Sequence, residues 1–211
     1  MTEPTQKKLC IDLCAGLGGF SQAFKVDPAW EVVTVELNKK QKPTICADVR
    51  YLPLKKALEP NVLLASPPCN YFSLACLQFP RVGIKQSLEV VGACFEAVAW
   101  LKPKKWLIEN PRGRLRAIIG RPPQTIRYSD YDVGMKMMKT TDFWGNIFLP
   151  MVKHERRIRQ SQGINNSIER LHHNFPAPHM AGEPDNGRQL QAERAKIPHG
   201  VSQAVKQGVE Q

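Results

Sequence analysis

Acidic residues are scarce in this sequence: 19 Asp and Glu stand against 30 Lys and Arg, a formal net charge of +11. An imbalance of that size suits a polyanionic partner, although a need for solubility alone would also account for it. Long apolar runs are missing too. No stretch approaches the roughly 20 residues of a membrane helix, so a membrane span is not expected. The opening residues, MTEPTQKKLCIDL, hold no apolar segment of signal-peptide length, and a cytoplasmic protein is expected. The six cysteines, at positions 10, 14, 46, 69, 76 and 94, include no C-x-x-C pair. They lie in apolar surroundings, which argues against a disulfide framework or a structural zinc site and for reduced thiols.

What remains is an ordinary globular composition, 42% hydrophobic and 23% charged over 211 residues, enough for one domain with a small appendage. LCIDL is a short apolar run ending in Asp12; CAGLGG supplies three glycines; FSQAF then begins a helical pattern. That order predicts strand, tight turn, helix. WEVVTVEL, PTICADV, NVLLAS and KKWLIEN read as four further strands, and 88–100 as a buried helix. The spacing predicts an α/β protein with a doubly wound, mostly parallel sheet. Beyond residue 150 the chain turns polar and rich in Asn, Gln, Pro and Gly, until VSQAVKQGV regains helical spacing. The expected division is 1–150 as main domain, 151–195 as a small insert and 196–211 as a helix returning to the main domain.

Glycines at a strand-to-helix turn let a ligand approach the backbone, and ligands of open α/β sheets bind beyond the carboxyl ends of the strands. Alone, AGLGG is equally compatible with an empty turn. Glu36 and Asp48 end the next two strands at the same edge, where they could accept hydrogen bonds from a ribose and an adenine amino group. The glycine spacing, at 16, 18 and 19, is not the G-x-G-x-x-G of dinucleotide sites, which points to another adenosine cofactor.

ASPPCNYFS follows the fourth strand. Two prolines restrict the backbone just before Cys69, a constraint that suits a nucleophile held near its target better than an inert thiol. Glu109 ends the next strand in IENP and is expected beside it. A thiolate and a carboxylic acid beside an adenosine cofactor suit covalent activation of a pyrimidine. The thiolate adds to C6 of cytosine, the acid engages N3, C5 takes a methyl group, and loss of the C5 proton releases the cysteine.

DLCAGLGG, VTVELN, ADV, ASPPCNYFS and IENPRG occur in the order and approximate spacing of the cytosine-5 DNA methyltransferases, and residues 9–116 resemble that family. KIPHGVSQAV resembles its last motif. The resemblance implies a Rossmann-like, S-adenosylmethionine-dependent methyltransferase fold. Cys69 would be the nucleophile, Glu109 the N3 partner and Asn110 a support of the catalytic loop. The cofactor would lie against Asp12, Cys14, Ala15, Gly16, Gly18, Gly19 and Phe20, with Glu36, Leu37, Asp48, Val49, Pro68 and Ser202 completing its site. Three departures stand out: Cys14 replaces the usual Phe, Asn70 the usual Gln and Pro111 the usual Val. The Gln-x-Arg-x-Arg motif is missing, and TIRYSDYDVGMKMMKTTDFWGN occupies its place. IENPRGRLR followed by KTTDFWGN looks closest to short members from bacteriophages and prophages, whose setting is restriction and modification in a bacterial or phage-infected cell.

Duplex DNA with a flipped cytosine is the implied substrate. Arg112, Arg114, Arg116, Arg121 and Arg127 lie in a segment with no acid from 111 to 128, a candidate phosphate track or a solvated basic face. Lys153, Arg156, Arg157 and Arg159 form a second basic run. His172 and His173 lack acid or Cys partners at ligand spacing, so no metal site is expected. The 151–195 insert is short for a target-recognition region, which implies loose specificity or a partner protein; otherwise a monomer is expected. Methylation of tRNA and a catalytically silent nucleic-acid binder remain as alternatives.

Overall fold

The computed structural model describes residues 6–55, 58–73, 83–132, 139–152 and 196–211. The chain divides into two compact units, Met1–Met151 with Ile197–Gln211, and Val152–Lys196. The strands of the first are β1 (Lys8–Leu13), β2 (Trp30–Glu36), β3 (Ile45–Cys46), β4 (Val62–Ala65), β5 (Lys105–Pro111), β6 (Gln124–Arg127) and β7 (Thr140–Gly145). Its helices are α1 (Gln22–Lys25), α2 (Ile84–Leu101), α3 (Leu115–Ile118) and α4 (His199–Glu210).

The seven strands form one sheet in the order β3-β2-β1-β4-β5-β7-β6. Six run in one direction, β1 to β5 through parallel pairing, and β7 alone is antiparallel, to both β5 and β6. The expected mostly parallel, doubly wound sheet is therefore present, with a two-strand ribbon added beyond β5. Alternation along the central strands explains the two covered faces. Cys10, Val62 and Leu64 pack with Phe20, Phe24, Val201 and Val205 on one face. Ile11, Leu13, Leu63 and Ala65 pack with Cys94, Ala97 and Leu101 of α2 on the other. Because β4 is buried on both sides, its sequence VLLA is apolar throughout.

Three elements differ from expectation. The third strand shrinks to two residues at the sheet edge. The helix after the glycines ends after four residues, at a point where Asp27 and Pro28 follow and the proline ring cannot continue it. The ribbon of β6 and β7 is additional to the strands expected from sequence, because β7 carries Asp142, a fully buried acid that interrupts an apolar reading. Asp142 is neutralised from a distance: Arg116 of α3 donates to both of its oxygens, through Nε at 2.8 Å and through Nη2.

Parallel pairing sends the carboxyl ends of β1, β2, β4 and β5 to one edge. The chain order reverses between β1 and β4, and a crevice opens at such a switch point. The glycine turn after β1 and the Pro-Pro-Cys loop after β4 flank it.

Candidate active site

The glycine turn is built on left-handed backbone. Cys14, Gly16 and Gly18 have φ of 52°, 49° and 70°, a region that favours glycine and strains Cys14. Gly18 N donates to Ala15 O at 2.7 Å, closing the turn. Gly16 N donates to Glu36 Oε2 at 2.9 Å, and Asn38 N to Glu36 Oε1 at 2.9 Å, so Glu36 ties the ends of β1 and β2 together. Each carboxylate oxygen keeps a further acceptor position. Beside it Leu37 is 67% exposed, and nothing stands within 4 Å of where a Cβ on Gly16 would project. Open space, an exposed apolar surface and a half-engaged carboxylate fit an adenosine with its ribose.

The side chains of other residues in the expected cofactor set are engaged within the protein. Phe20 is buried and stacks on Phe143 at a centroid distance of 6.1 Å, so its ring belongs to the core. Val49 is likewise a core residue, and Ala15 is buried. Asp12 lies beneath the turn, where it accepts from Ser21 Oγ at 2.6 Å; burial pushes its carboxyl up to about 6, against the smaller opposing effects of Ser21 and Lys25. Its Oδ1 has no hydrogen-bond partner. A hydrogen bond with the Cys94 thiol, and then burial, hold the Cys14 thiol well above its ordinary value. Asp48, expected to meet an adenine amino group, is paired with Arg50. Both of its oxygens take Arg50, through Nε at 3.0 Å and Nη2 at 2.6 Å, because a residue two positions away reaches its carboxylate first.

Ser202 also has another use. Fully buried, it accepts from Ala23 N at 2.9 Å and donates to Phe20 O at 2.7 Å. It therefore satisfies one of the otherwise unpaired amides that start α1 and fastens α4 to the turn. Gly19 is needed at the same junction, since a Cβ there would stand 2.5 Å from Ile197 O.

Across the crevice, Cys69 is half-buried. Its carbonyl accepts from Phe72 N at 3.0 Å and Ser73 N at 3.1 Å, which folds the chain into a turn directly after the thiol. Arg114 N donates to Phe72 O at 2.7 Å, and Ser73 bridges to Gly113, strapping that turn to the segment after β5. Asn110, fully buried, donates from Nδ2 to Pro67 O at 3.0 Å. Pro68 is exposed beside it. A cavity of about 380 Å³ lies next to Pro68, lined by Tyr71, Gly83, Gln86, Ser87 and Val90.

Glu109, 5% exposed, is gripped at one oxygen: Tyr128 Oη donates to Oε1 at 2.8 Å and Thr141 Oγ1 donates to it at 2.6 Å. Lys139 Nζ stands 3.9 Å from the same atom. Neither Tyr128 nor Thr141 is marked out by the sequence. The one available signal is Thr-Thr before an aromatic pair in KTTDFWGN, a strand-like composition.

Of the expected basic track, Arg112 is exposed and Arg114 half-buried, while Arg116 is committed to Asp142. That pairing gives Arg116 a structural partner at Nε and Nη2. Lys153, Arg156, Arg157, Arg159, His172 and His173 lie outside the described residues. Among the described residues no group of three or more His, Cys, Asp or Glu could hold a metal ion. No described helix is long and apolar enough to cross a membrane.

The C-5 cytosine-specific DNA methylase family matches this sequence over residues 9–143, more than half of the chain and the whole span from the glycine turn to Phe143. The chain belongs to that family. A "Probable DNA (cytosine-5)-methyltransferase" of Frog virus 3 (isolate Goorha) is 30% identical to this family member over 158 residues, 66% of this chain and 72% of that protein. The type II methyltransferase M.AplI of Arthrospira platensis is 26% identical over 144 residues, 63% of this chain but 41% of its own length. The Entamoeba histolytica methyltransferase EhMeth shares 14% identity with a TM-score of 0.49, over 71% of this chain and 55% of that one. With the family in place, the sheet is a Rossmann-like methyltransferase sheet.

Proposed function

We propose that this methylase transfers a methyl group to C5 of cytosine in duplex DNA through a covalent bond between Cys69 and C6. The observation that carries the mechanism is the tie between the two reacting elements: Asn110, next to Glu109 on β5, holds the Pro67 carbonyl two residues before Cys69. Thiol and acid are thus positioned by one rigid connection, and such fixed placement lowers the barrier to attack.

The cofactor fits at the glycine turn, with Glu36 for the ribose hydroxyls and Leu37 against the adenine. S-adenosylmethionine, when bound there, supplies the electrophilic methyl that C5 takes up. The Cys69 thiolate forms the bond to C6, and the electron pair of the C5–C6 double bond moves to C5. Glu109 holds N3 with a proton, offsetting the charge that develops in the ring. After methylation a base removes the C5 proton; that electron pair re-forms the double bond, and Cys69 leaves as thiolate.

The test is incubation with methyl-labelled S-adenosylmethionine and either duplex DNA or tRNA. Label is expected at C5 of cytosine in DNA, and none with Cys69→Ser, whose hydroxyl is a far weaker nucleophile of similar size. Turnover by the serine variant would overturn the covalent route, and label in tRNA alone would overturn the substrate.

A further inference from the structure

Resting on the reading above, we propose that Tyr128 and Thr141 are positioning residues that make Oε2 of Glu109 the oxygen presented to cytosine N3. The two hydroxyls come from opposite strands of the ribbon. β6 runs into the turn Tyr128–Asp130, and β7 pairs back along it with Arg127 opposite Thr140. Tyr128 N donates to Lys139 O at 3.0 Å, which fixes the phenol at the end of the ribbon. On the other side β7 is antiparallel to β5, with Thr141 opposite Pro111 and Phe143 opposite Glu109. The ribbon therefore brings a Tyr and a Thr to one carboxyl group, with the phenol fully buried.

Both donors reach the same atom. Oε1 accepts from Tyr128 Oη at 2.8 Å and from Thr141 Oγ1 at 2.6 Å, with Lys139 Nζ 3.9 Å away. Two donors fill the two acceptor positions of a carboxyl oxygen. When Glu109 carries a proton, that proton must therefore sit on Oε2, because Oε1 faces two O–H groups and an ammonium. N3 of neutral cytosine offers a lone pair, so the acid must donate, and Oε2 is the oxygen able to do so.

The arrangement also needs no rearrangement during turnover. Oε1 accepts the same two bonds whether Glu109 is a carboxylate or an acid, so the proton can move between Oε2 and N3 while the rest of the network stands still. Donors already in place when charge moves are what electrostatic preorganisation requires. Burial, and next the Glu109 charge, keep the Tyr128 phenol well above its ordinary value, so it remains a donor. Lys139 lies 4.8 Å over the Tyr128 ring, where its charge also steadies Oε1.

The decisive variants are Thr141→Val, which keeps shape and removes the donor, and Thr141→Ser, which keeps the donor and removes a methyl. Tyr128→Phe removes the second donor. In methyl transfer to duplex DNA, Thr141→Val and Tyr128→Phe are expected to lower kcat about a hundredfold, the lower end of the range for general acid–base support. KM for DNA and for S-adenosylmethionine should stay within about twofold of wild type, and Thr141→Ser should keep most of the activity. Wild-type kcat in Thr141→Val, or equal losses in the Val and Ser variants, would overturn the proposal, since packing rather than the hydroxyl would then be at work. If Tyr128→Phe does not fold, the threonine pair still decides. Absence of methyl transfer by the wild-type protein itself would instead sink the proposed function, and the role of the two hydroxyls with it.

Discussion

Asn110 and Pro67, 43 positions apart, are joined by a buried hydrogen bond of 3.0 Å from the amide Nδ2 to the carbonyl oxygen. Through it, strand β5 sets the height of the loop that carries Cys69. Asn110→Ala leaves the Pro67 carbonyl buried without a donor, at a cost of about 1–3 kcal/mol. Thermal melts should register that loss. Methyl transfer should fall further than stability explains, because the loop loses its register with Glu109; a variant of unchanged kcat would show that the prolines position the thiol unaided.

Asp12 should make stability depend on pH. Burial raises its carboxyl from 3.8 to about 6 in the folded protein. A raised value means that the folded state holds the proton more tightly, so the stabilisation is complete below the unfolded value and is lost as pH rises through about 6. The difference is on the order of 3 kcal/mol. Asp12→Asn can still accept from Ser21 and carries no charge. Between about pH 4 and pH 7 the wild type should therefore lose stability relative to Asp12→Asn in denaturant titrations. Parallel curves for the two proteins would mean that water reaches the carboxylate.

Arg112 and Arg116 should separate cleanly. Removing Arg116 strands the buried Asp142, and loss of one partner from such a pair costs about 3–5 kcal/mol. Arg112 is exposed and close to the catalytic strand, so Arg112→Ala should leave the melting temperature alone and flatten the salt dependence of DNA binding by about 0.9 in log–log slope. Titrations at several salt concentrations read the slope. An unchanged slope in Arg112→Ala would place the phosphate contacts elsewhere.

Ser202 and Glu36 form a similar contrast. Ser202→Ala removes one acceptor and one donor from a buried junction and should cost about 2–3 kcal/mol of stability, with cofactor affinity following only through folding. Glu36→Ala should weaken cofactor binding by the roughly 1.5–3 kcal/mol of a charged hydrogen bond. Calorimetry under conditions where both variants are folded checks the pair. A larger affinity loss in Ser202→Ala than in Glu36→Ala would reverse the assignment.

What is legible in the sequence is local. β1, β2, β4, β5, the glycine turn and α2 announce themselves through apolar runs, alternation and turn residues. Expectation departs from structure wherever a polar group is satisfied from far along the chain. Asp142 is an acid inside a strand that the sequence does not announce, and Arg116, 26 residues earlier, is what pairs with it. Ser202 gives no sign in the sequence that Ala23, 179 residues away, donates to it. Tyr128 and Thr141 fall under the same rule, since only pairing of β5, β7 and β6 brings them to Glu109. Asp48 adds a local case: its partner Arg50 is only two residues away.

The junction of α4 with the glycine turn bears on how the protein comes into being. α1 starts at residue 22, yet the Ala23 amide finds its acceptor on residue 202, and Gly19 packs against the carbonyl of residue 197. On the ribosome the glycine turn is synthesised early and finished late. A nascent chain therefore carries an incomplete turn until residue 202 has emerged, and a contact of such long sequence separation is slow to close. Premature termination after the end of β7 at residue 145 but before residue 197 would yield a protein with Cys69 and Glu109 both present and the glycine turn unfastened.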